Sequence, residues 1–485
     1  MKPLTQILKP LGIDESKIPE VLISGLSFNS KTVKEGDLFI AIQGSRKNGQ
    51  SYIADAVNSG AAAIITNKSF TENTEIPIIK VENSRKALSI IASEYYCHPS
   101  RAMTLIGITG TNGKTTTSFL VKSILENANY KVAIIGTLGL IAQDFKYQKT
   151  LTTPDPIYLH KILHDLNEAG FSHVVMEVSS HALDQYRVAN IEFNIAAFTN
   201  ITPEHLDYHG TFEKYKNSKA KLFHLLVKNS KAIINIDDDF GKVLSEKLSI
   251  KVIPFSRENK MGVHFKTLSF SIKGIIGIIS ALDEEFSIQS NLIGNFNSEN
   301  ILAAVGISLA LNIKKDIIEN GIKKCPLVPG RMESFILQNK GIAIIDYAHT
   351  PDSYKKVMIT LKELQGNNGN IYVVFGAGGD RDKDKRPHMA QILETYAKHC
   401  FITPDNPRFE KQNQINSHII EGFKKNEYSI YDDRNKGIEA ALKIAKEHDI
   451  VAILGKGREE YQDIQGRKTY HSDLDILKEY SCESV

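Results

Sequence analysis

The sequence predicts an α/β protein of three domains built on mainly parallel sheets. Three observations predict it. The chain has 485 residues, and at about 150 residues per domain that length suits about three units. Short β-rich apolar runs alternate with longer helical patterns, as strand–helix–strand layers require. Two breaks, Cys97-His98-Pro99-Ser100 and Cys325-Pro326-Leu327-Val328-Pro329-Gly330, interrupt the alternation, with proline and glycine as punctuation. They divide the chain into 1–100, 101–330 and 331–485, each long enough to hold a core.

In order along the chain, strands are expected at 37–42 and 62–66 in the first domain. In the second they are expected at 104–109, 132–135, 173–177, 195–199 and 231–236, and in the third at 342–346, 371–375 and 450–454. Each run is short and rich in apolar or β-branched residues. Between the third and fourth runs, Phe119, Leu120, Ile124 and Leu125 fall on one face of a helix. There is no fixed-period repeat and no low-complexity tract.

Apolar residues make up 42% and charged residues 24%, which excludes disordered, collagen-like and coiled-coil chains. A net charge of +3 gives no footprint for nucleic acid, so no such partner is expected. Cys97, Cys325, Cys400 and Cys482 form no CxxC pair and read as thiols of a reducing compartment. Pro3, Pro10, Asp14 and Glu15 break any signal-peptide stretch. Apolar stretches such as 274–282 fall short of the ~18–20 residues of a membrane helix. A soluble cytoplasmic monomer without membrane insertion is expected.

The sharpest chemical feature is Gly107-Ile108-Thr109-Gly110-Thr111-Asn112-Gly113-Lys114-Thr115-Thr116. A β-rich run enters it and an amphipathic helix leaves it, so backbone N–H groups and a helix N-terminus converge on an anion. Lys114 would reach the β/γ phosphates and the Thr115 hydroxyl would ligate Mg²⁺. The usual spacing wants glycine at 108, where this chain has isoleucine. Further on, HVVMEVSSH ends a strand in Glu177, a carboxylate that at a strand's C-terminal edge can hold Mg²⁺ directly or through water, or equally sit solvated on a loop. TNITPEHLDYHG (199–210) concentrates polar ligand types after another apolar run; its two histidines fit hydrogen-bonded turn residues equally well.

The motif order GTNGKTT, TTPD (152–155), EVSSHAL, TNITPEHLDYHG, GNFNSEN (294–300), PGRME (329–333), DYAHTPDS (346–353), GDRDKDKRP, DNPR (405–408) and GKGRE (455–459) resembles the Mur ligases, from about residue 24 to about residue 471. Within them it resembles the tripeptide-forming branch of the diaminopimelate-adding type. The resemblance implies a UDP-sugar-binding first domain, a central phosphate-loop ATPase domain and a Rossmann-like C-terminal domain that binds the amino acid. It implies an ATP-dependent amide ligase of peptidoglycan synthesis. Such an enzyme adds meso-2,6-diaminopimelate to UDP-N-acetylmuramoyl-L-alanyl-D-glutamate through an acyl phosphate. Phosphorylation turns a poor electrophile into one with a leaving group, and cations offset the gathered charge.

By the same resemblance, ATP is held by Gly110, Thr111, Asn112, Gly113, Lys114, Thr115, Thr116, Asn297, Asn300, Arg331 and Asp346. From the residues alone, Asn297 and Asn300 equally suit a helix N-cap and polar first turn. Catalytic roles fall to Lys114, Glu177, His205 and Lys219, and Mg²⁺ ligation to Thr115, Glu177 and His205. Lys219 occupies the place of a carbamylated lysine (N6-carboxylysine); by pattern alone it belongs on a solvated helix. The UDP-sugar peptide is implied at Ser30, Ser45, Arg46, Lys47, Thr152, Thr153, Ser179, Gln185 and Arg187. Leu151 departs from the asparagine some members place there.

Diaminopimelate is implied at Arg381, Asp405, Asn406, Pro407, Arg408, Gly455 and Glu459. A guanidinium can take its extra carboxylate through two parallel hydrogen bonds. Arg458 replaces the usual histidine of GKGHE. Gly376-Ala377-Gly378-Gly379-Asp380-Arg381 lacks the third glycine of a dinucleotide fingerprint. Asp237-Asp238-Asp239 reads as a loop near the nucleotide rather than a metal cluster. The competing readings are a lysine-adding or folylpolyglutamate-type ligase of the same superfamily, and a phosphate-loop switch or motor ATPase.

Overall fold

The computed structural model describes residues 1–44, 49–68, 74–145, 147–148, 151–366, 369–425 and 427–484. Its first sheet has four parallel strands in the order Gly25–Ser27, Asp37–Ala41, Ala63–Thr66 and Ile78–Lys80. The helix Ser84–Tyr95 covers it, burying Leu88 and Ile91 against Leu38, Ile40 and Ile65. That helix starts where Asn83 accepts from the backbone N–H groups of Arg85 and Lys86, satisfying donors the helix cannot.

The central sheet has seven strands. In space they run Lys251–Phe255, Leu226–Asn235, Phe193–Phe198, Thr104–Thr109, His173–Glu177, Val132–Gly136 and Gly139–Ile141, all parallel except the last. Both faces are covered, which is why its strands are nearly continuous apolar runs. Ile106, Ile108 and Val175 pack on one side under the helices Lys114–Asn127 and Asn297–Ala310. Leu105, Val174 and Met176 pack on the other under Pro156–Glu168.

The third sheet is Tyr428–Ile430, His399–Ile402, Ile371–Phe375, Ile450–Leu454, Ile342–Asp346, Glu333–Leu337 and Ser481–Ser484. The first five are parallel, and Glu333–Leu337 pairs antiparallel with both of its neighbours, a doubly wound arrangement with antiparallel pairing at one side. The apolar stretch 274–282 forms part of a three-stranded antiparallel sheet, His264–Ser271, Gly274–Ala281 and Glu284–Ser290. Ile275 and Ile279 point into the core while Ile276 and Ile278 face outward, the period of a half-covered strand. Among the described residues no helix is long and apolar enough to cross a membrane.

Candidate active site

The phosphate loop lies at the topological switch point of the central sheet. Thr104–Thr109, the first central strand in sequence, is flanked by His173–Glu177 and Phe193–Phe198. The segments leaving these three strands therefore meet at one C-terminal edge, where such sheets bind ligands. Gly113 turns into the helix at φ +88°, and a Cβ there would come 2.3 Å from Asn300 Oδ1; only glycine meets both conditions. The Asn112 N–H donates to Asn200 Oδ1 at 2.9 Å, and Thr199 Oγ1 donates to Asn112 O at 2.6 Å. The Lys114 ammonium folds back on Gly110 O and Thr111 O, both at 2.9 Å. Burial lowers its pKa, against the opposing pull of Glu177 and Glu204.

Glu177 is buried at its strand end and accepts from Thr137 N at 3.0 Å and Thr137 Oγ1 at 2.9 Å. His205 takes the left-handed φ of 57° before a short helical turn, and its ring lies 4.7 Å from that of His181. Burial, aided by the Lys219, His349 and Lys114 charges, brings its pKa down to about 4 despite Glu204, so the imidazole is neutral near pH 7. His209, in contrast, is a buried turn residue hydrogen-bonded to Ser180 Oγ at 3.0 Å.

Lys219 does not lie on a solvated face. The helix Phe212–Ala220 turns Tyr215, Ser218 and Lys219 inward, and Lys219 is 2% exposed. Its Nζ donates to Gly110 O at 2.8 Å and stands 4.6 Å over the Tyr215 ring. Burial and the Lys114 charge push its pKa well below the usual lysine range. The neutral amine is the nucleophilic form. Glu204, to which the sequence pattern assigns no role, lies 3.8 Å from the His205 ring and 3.3 Å from that of His349. Burial pushes its carboxyl up, but the His349 hydrogen bond and the His205 and Lys114 charges outweigh that and hold it well below the usual carboxylate range.

Asn297 does not cap its helix, since Phe296 holds that position without a side-chain bond. Instead Asn300 Nδ2 donates to Asn297 Oδ1 and Asn297 Nδ2 to Ile293 O, both at 2.7 Å, beneath the phosphate loop. Arg331 Nη2 donates to Thr115 Oγ1 at 3.2 Å, and the guanidinium lies 4.8 Å over Tyr347. Asp346 anchors backbone, accepting from Met332 N and Ala348 N at 2.7 Å. Asp237 and Asp238 are absorbed by local bonds: Asp238 accepts from Phe240 N, Gly241 N and Ile201 N, and Asp237 from Arg257 N.

A second cluster gathers beside Glu177. Thr153 Oγ1 donates to Glu177 O at 2.8 Å and accepts from Ser179 N at 3.1 Å. Arg187 donates to Thr153 O at 2.9 Å and to Gln185 Oε1 at 2.7 Å. Thr152 Oγ1 lies 3.4 Å from Thr137 Oγ1. Five residues implied for the UDP-sugar peptide are thus neighbours. Ser30 is buried in the first domain, at the turn Ser30–Thr32. Ser45, Arg46 and Lys47 lie outside the described residues.

In the third domain, DNPR follows His399–Ile402 and GKGRE follows Ile450–Leu454, at the same sheet edge. Asn406 Nδ2 donates to Glu459 Oε2 at 2.6 Å. Arg408, at φ 52°, donates to Gly379 O at 2.6 Å. Arg381 is exposed, with its Cγ close to Gly378, which Arg408 flanks. A Cβ at Gly455 would come 3.3 Å from Asp405 Oδ2. Lys456 went unassigned in the sequence. It is fully buried and donates to Asp405, Asn406 and Glu459 at 3.4, 3.2 and 2.9 Å. Arg458 turns away from Glu459 to Glu333, so its guanidinium is paired outside the cluster around Glu459. After the 371–375 strand no helix begins until Lys385, unlike a dinucleotide fingerprint.

Comparison with known proteins addresses the same three regions. Profiles match the Mur ligase family catalytic domain over 22–96, the Mur ligase middle domain over 108–308 and the Mur ligase glutamate ligase domain over 330–457. A UDP-N-acetylmuramoyl-L-alanyl-D-glutamate--2,6-diaminopimelate ligase of Aquifex aeolicus is 41% identical over 459 residues, 94% of this chain and 93% of that one. The Clostridium botulinum protein of that name is 37% identical over 484 residues, covering 98% and 99%. A solved structure bearing the same name aligns at a TM-score of 0.67 with 29% identity, covering 96% of both chains. The MurF ligase of Thermotoga maritima in complex with ADP shares the fold at TM-score 0.63 and 21% identity, covering 88% of this chain and 93% of that one. Three successive profiles, relatives of this identity along nearly the whole chain and a phosphate loop at the expected sheet edge lead to one conclusion: the chain belongs to the Mur ligase family.

Proposed function

We propose that this protein is an ATP-dependent ligase that adds meso-2,6-diaminopimelate to UDP-N-acetylmuramoyl-L-alanyl-D-glutamate in peptidoglycan synthesis. Residues 1–100 hold the UDP-sugar, 101–330 hold ATP and 331–485 hold the amino acid. The observation that carries the reading is the meeting of the phosphate loop with a buried lysine, Lys219, a carboxylate, Glu177, and a neutral imidazole, His205. The names of the relatives supply the substrates.

The γ-phosphoryl of ATP passes to the D-glutamyl side-chain carboxylate, giving an acyl phosphate and ADP. The neutral diaminopimelate amine attacks the acyl carbon, the C–N bond forms, phosphate leaves with the C–O bond pair, and the proton lost by the nitrogen ends on the released phosphate. Lys114 and Arg331 offset phosphate charge, and the phosphate-loop N–H groups orient it. Thr115, Glu177 and His205 would hold Mg²⁺, which supplies charge neutralisation at the phosphates. The neutral Lys219 amine takes up CO₂ with release of a proton, becoming a carbamate that adds an anion beside the loop. Thr152, Thr153, Ser179, Gln185 and Arg187 position the sugar peptide, and Arg408 with Asp405, Asn406 and Glu459 reads the amino acid.

Phosphate release with UDP-N-acetylmuramoyl-L-alanyl-D-glutamate, ATP and Mg²⁺ tests this. Release should depend on meso-diaminopimelate and be far weaker with L-lysine. Equal kcat/KM for the two amino acids would overturn the substrate assignment, and release independent of the UDP-sugar would overturn the ligase reading.

A further inference from the structure

The turn that carries Arg331 is backed by an ion pair between Arg458 and Glu333. Arg458 Nε donates to Glu333 Oε2 at 2.7 Å and Nη2 to Oε1 at 2.5 Å, two parallel bonds. Glu333 is buried, and its Oε2 also accepts the Gly330 N–H at 2.8 Å. Gly330 O accepts from Tyr347 N at 3.0 Å. Gly330 sits at φ +66°, and a Cβ there would come 2.8 Å from Arg458 N. The pair therefore clamps the turn from which Arg331 projects over Tyr347 toward Thr115.

We propose that Arg458 and Glu333 are positioning residues for the nucleotide, fixing the Gly330 turn so that Arg331 points at the phosphate-loop helix. The inference rests on the reading of Arg331 as an ATP contact. A largely buried ion pair contributes little net stability compared with an apolar replacement, whereas two parallel bonds fix a direction. The geometry is thus better suited to aiming Arg331 than to holding the fold. The two roles differ in their kinetics. A weakened fold lowers kcat through the active fraction and leaves KM unchanged, whereas a misaimed Arg331 raises KM for ATP and leaves KM for the amino acid in place.

Calorimetric titration of the full chain with Mg·ADP tests the proposal, using Arg458→Lys, Arg458→Met and each of these combined with Arg331→Ala. Lysine keeps a charge against Glu333 but cannot make the planar pair of bonds, so the lysine variant guards against a folding failure of the methionine one. The expected result is an ADP Kd raised about tenfold in Arg458→Met and less in Arg458→Lys. Steady-state KM for ATP should rise in step with the ADP Kd, and the amino-acid KM should be unchanged. In the Arg331→Ala background either Arg458 substitution should change ADP affinity no further. Additive effects with Arg331→Ala, unchanged ADP affinity in both Arg458 variants, or a rise confined to the amino-acid KM would overturn the positioning role alone. A wild-type protein that binds no ADP would instead overturn the ATP reading on which it rests.

Discussion

Acid should destabilise this protein through His160, and the size of the effect follows from where that ring sits. His160 lies on the helix Pro156–Glu168, which packs against Ser84–Tyr95 of the first domain and the turn Pro99–Ala102. It is 0% exposed, and neither ring nitrogen has a hydrogen-bond partner among the described residues. Burial, with a small contribution from His98, lowers its pKa from 6.5 to about 3. At about pH 8 the ring is neutral in the folded and the unfolded chain, so its titration contributes nothing there. Between the two pKa values the unfolded chain binds the proton and the folded one does not, so stability present above 6.5 is lost as pH falls. Linkage gives a loss of about 2 kcal/mol at about pH 5 and a ceiling of about 5 kcal/mol once pH is below the folded value. His160→Leu keeps volume and removes the titration. Urea unfolding followed by circular dichroism at about pH 8 and about pH 5 gives the stability difference between variant and wild type at each pH, in which other titrating groups cancel. That difference should move by about 2 kcal/mol in favour of the variant at the lower pH. A difference that stays constant across this range would refute the reasoning.

Lys114→Ala should leave the protein folded but slow ligation by about 10²- to 10³-fold, because its ammonium meets charge that grows during phosphoryl transfer; near-normal turnover would rule the role out. Lys219→Ala should be as severely impaired and partly restored by a small carboxylate, and intact-mass measurement of the wild type at high CO₂ should show a carboxyl adduct at Lys219. A wild type that stays unmodified, together with a fully active variant, would sink that idea. Arg408→Ala should raise the KM for diaminopimelate strongly with a smaller effect on ATP, and Arg408→Lys should also hurt, since a point charge cannot make two planar bonds. In the wild type, L-lysine should be disfavoured by about 10⁴-fold or more, read from kcat/KM for both amino acids.

Much of the central architecture was legible before any coordinates. The strands at 104–109, 173–177, 342–346, 371–375 and 450–454 coincide with those observed, because strands buried on both faces must be continuous apolar runs. The edges were not legible. Tyr428–Ile430 and Ser481–Ser484 are short or polar, and a strand at a sheet's rim needs little apolar content to pair. The antiparallel sheet around Gly274–Ala281 was hidden by its apolar middle strand, whose alternation appears only once a core lies on one side.

What the sequence by itself determined is local and chemical: a phosphate loop, the strand that feeds it, a carboxylate ending a neighbouring strand, and ordered motifs that resemble the Mur ligases. These survive in one dimension because each depends on a few adjacent residues. What only the tertiary structure decided is which of them meet and in what state. Lys219 looks like a solvated helix lysine until the fold seats it 2.8 Å from Gly110 O, over 100 residues away. Lys456 and Arg458 stand two residues apart, yet one is buried among Asp405, Asn406 and Glu459 and the other turns to Glu333. Burial and charge pairing are properties of the packed neighbourhood, and pKa and direction follow from them; spacing along the chain carries neither.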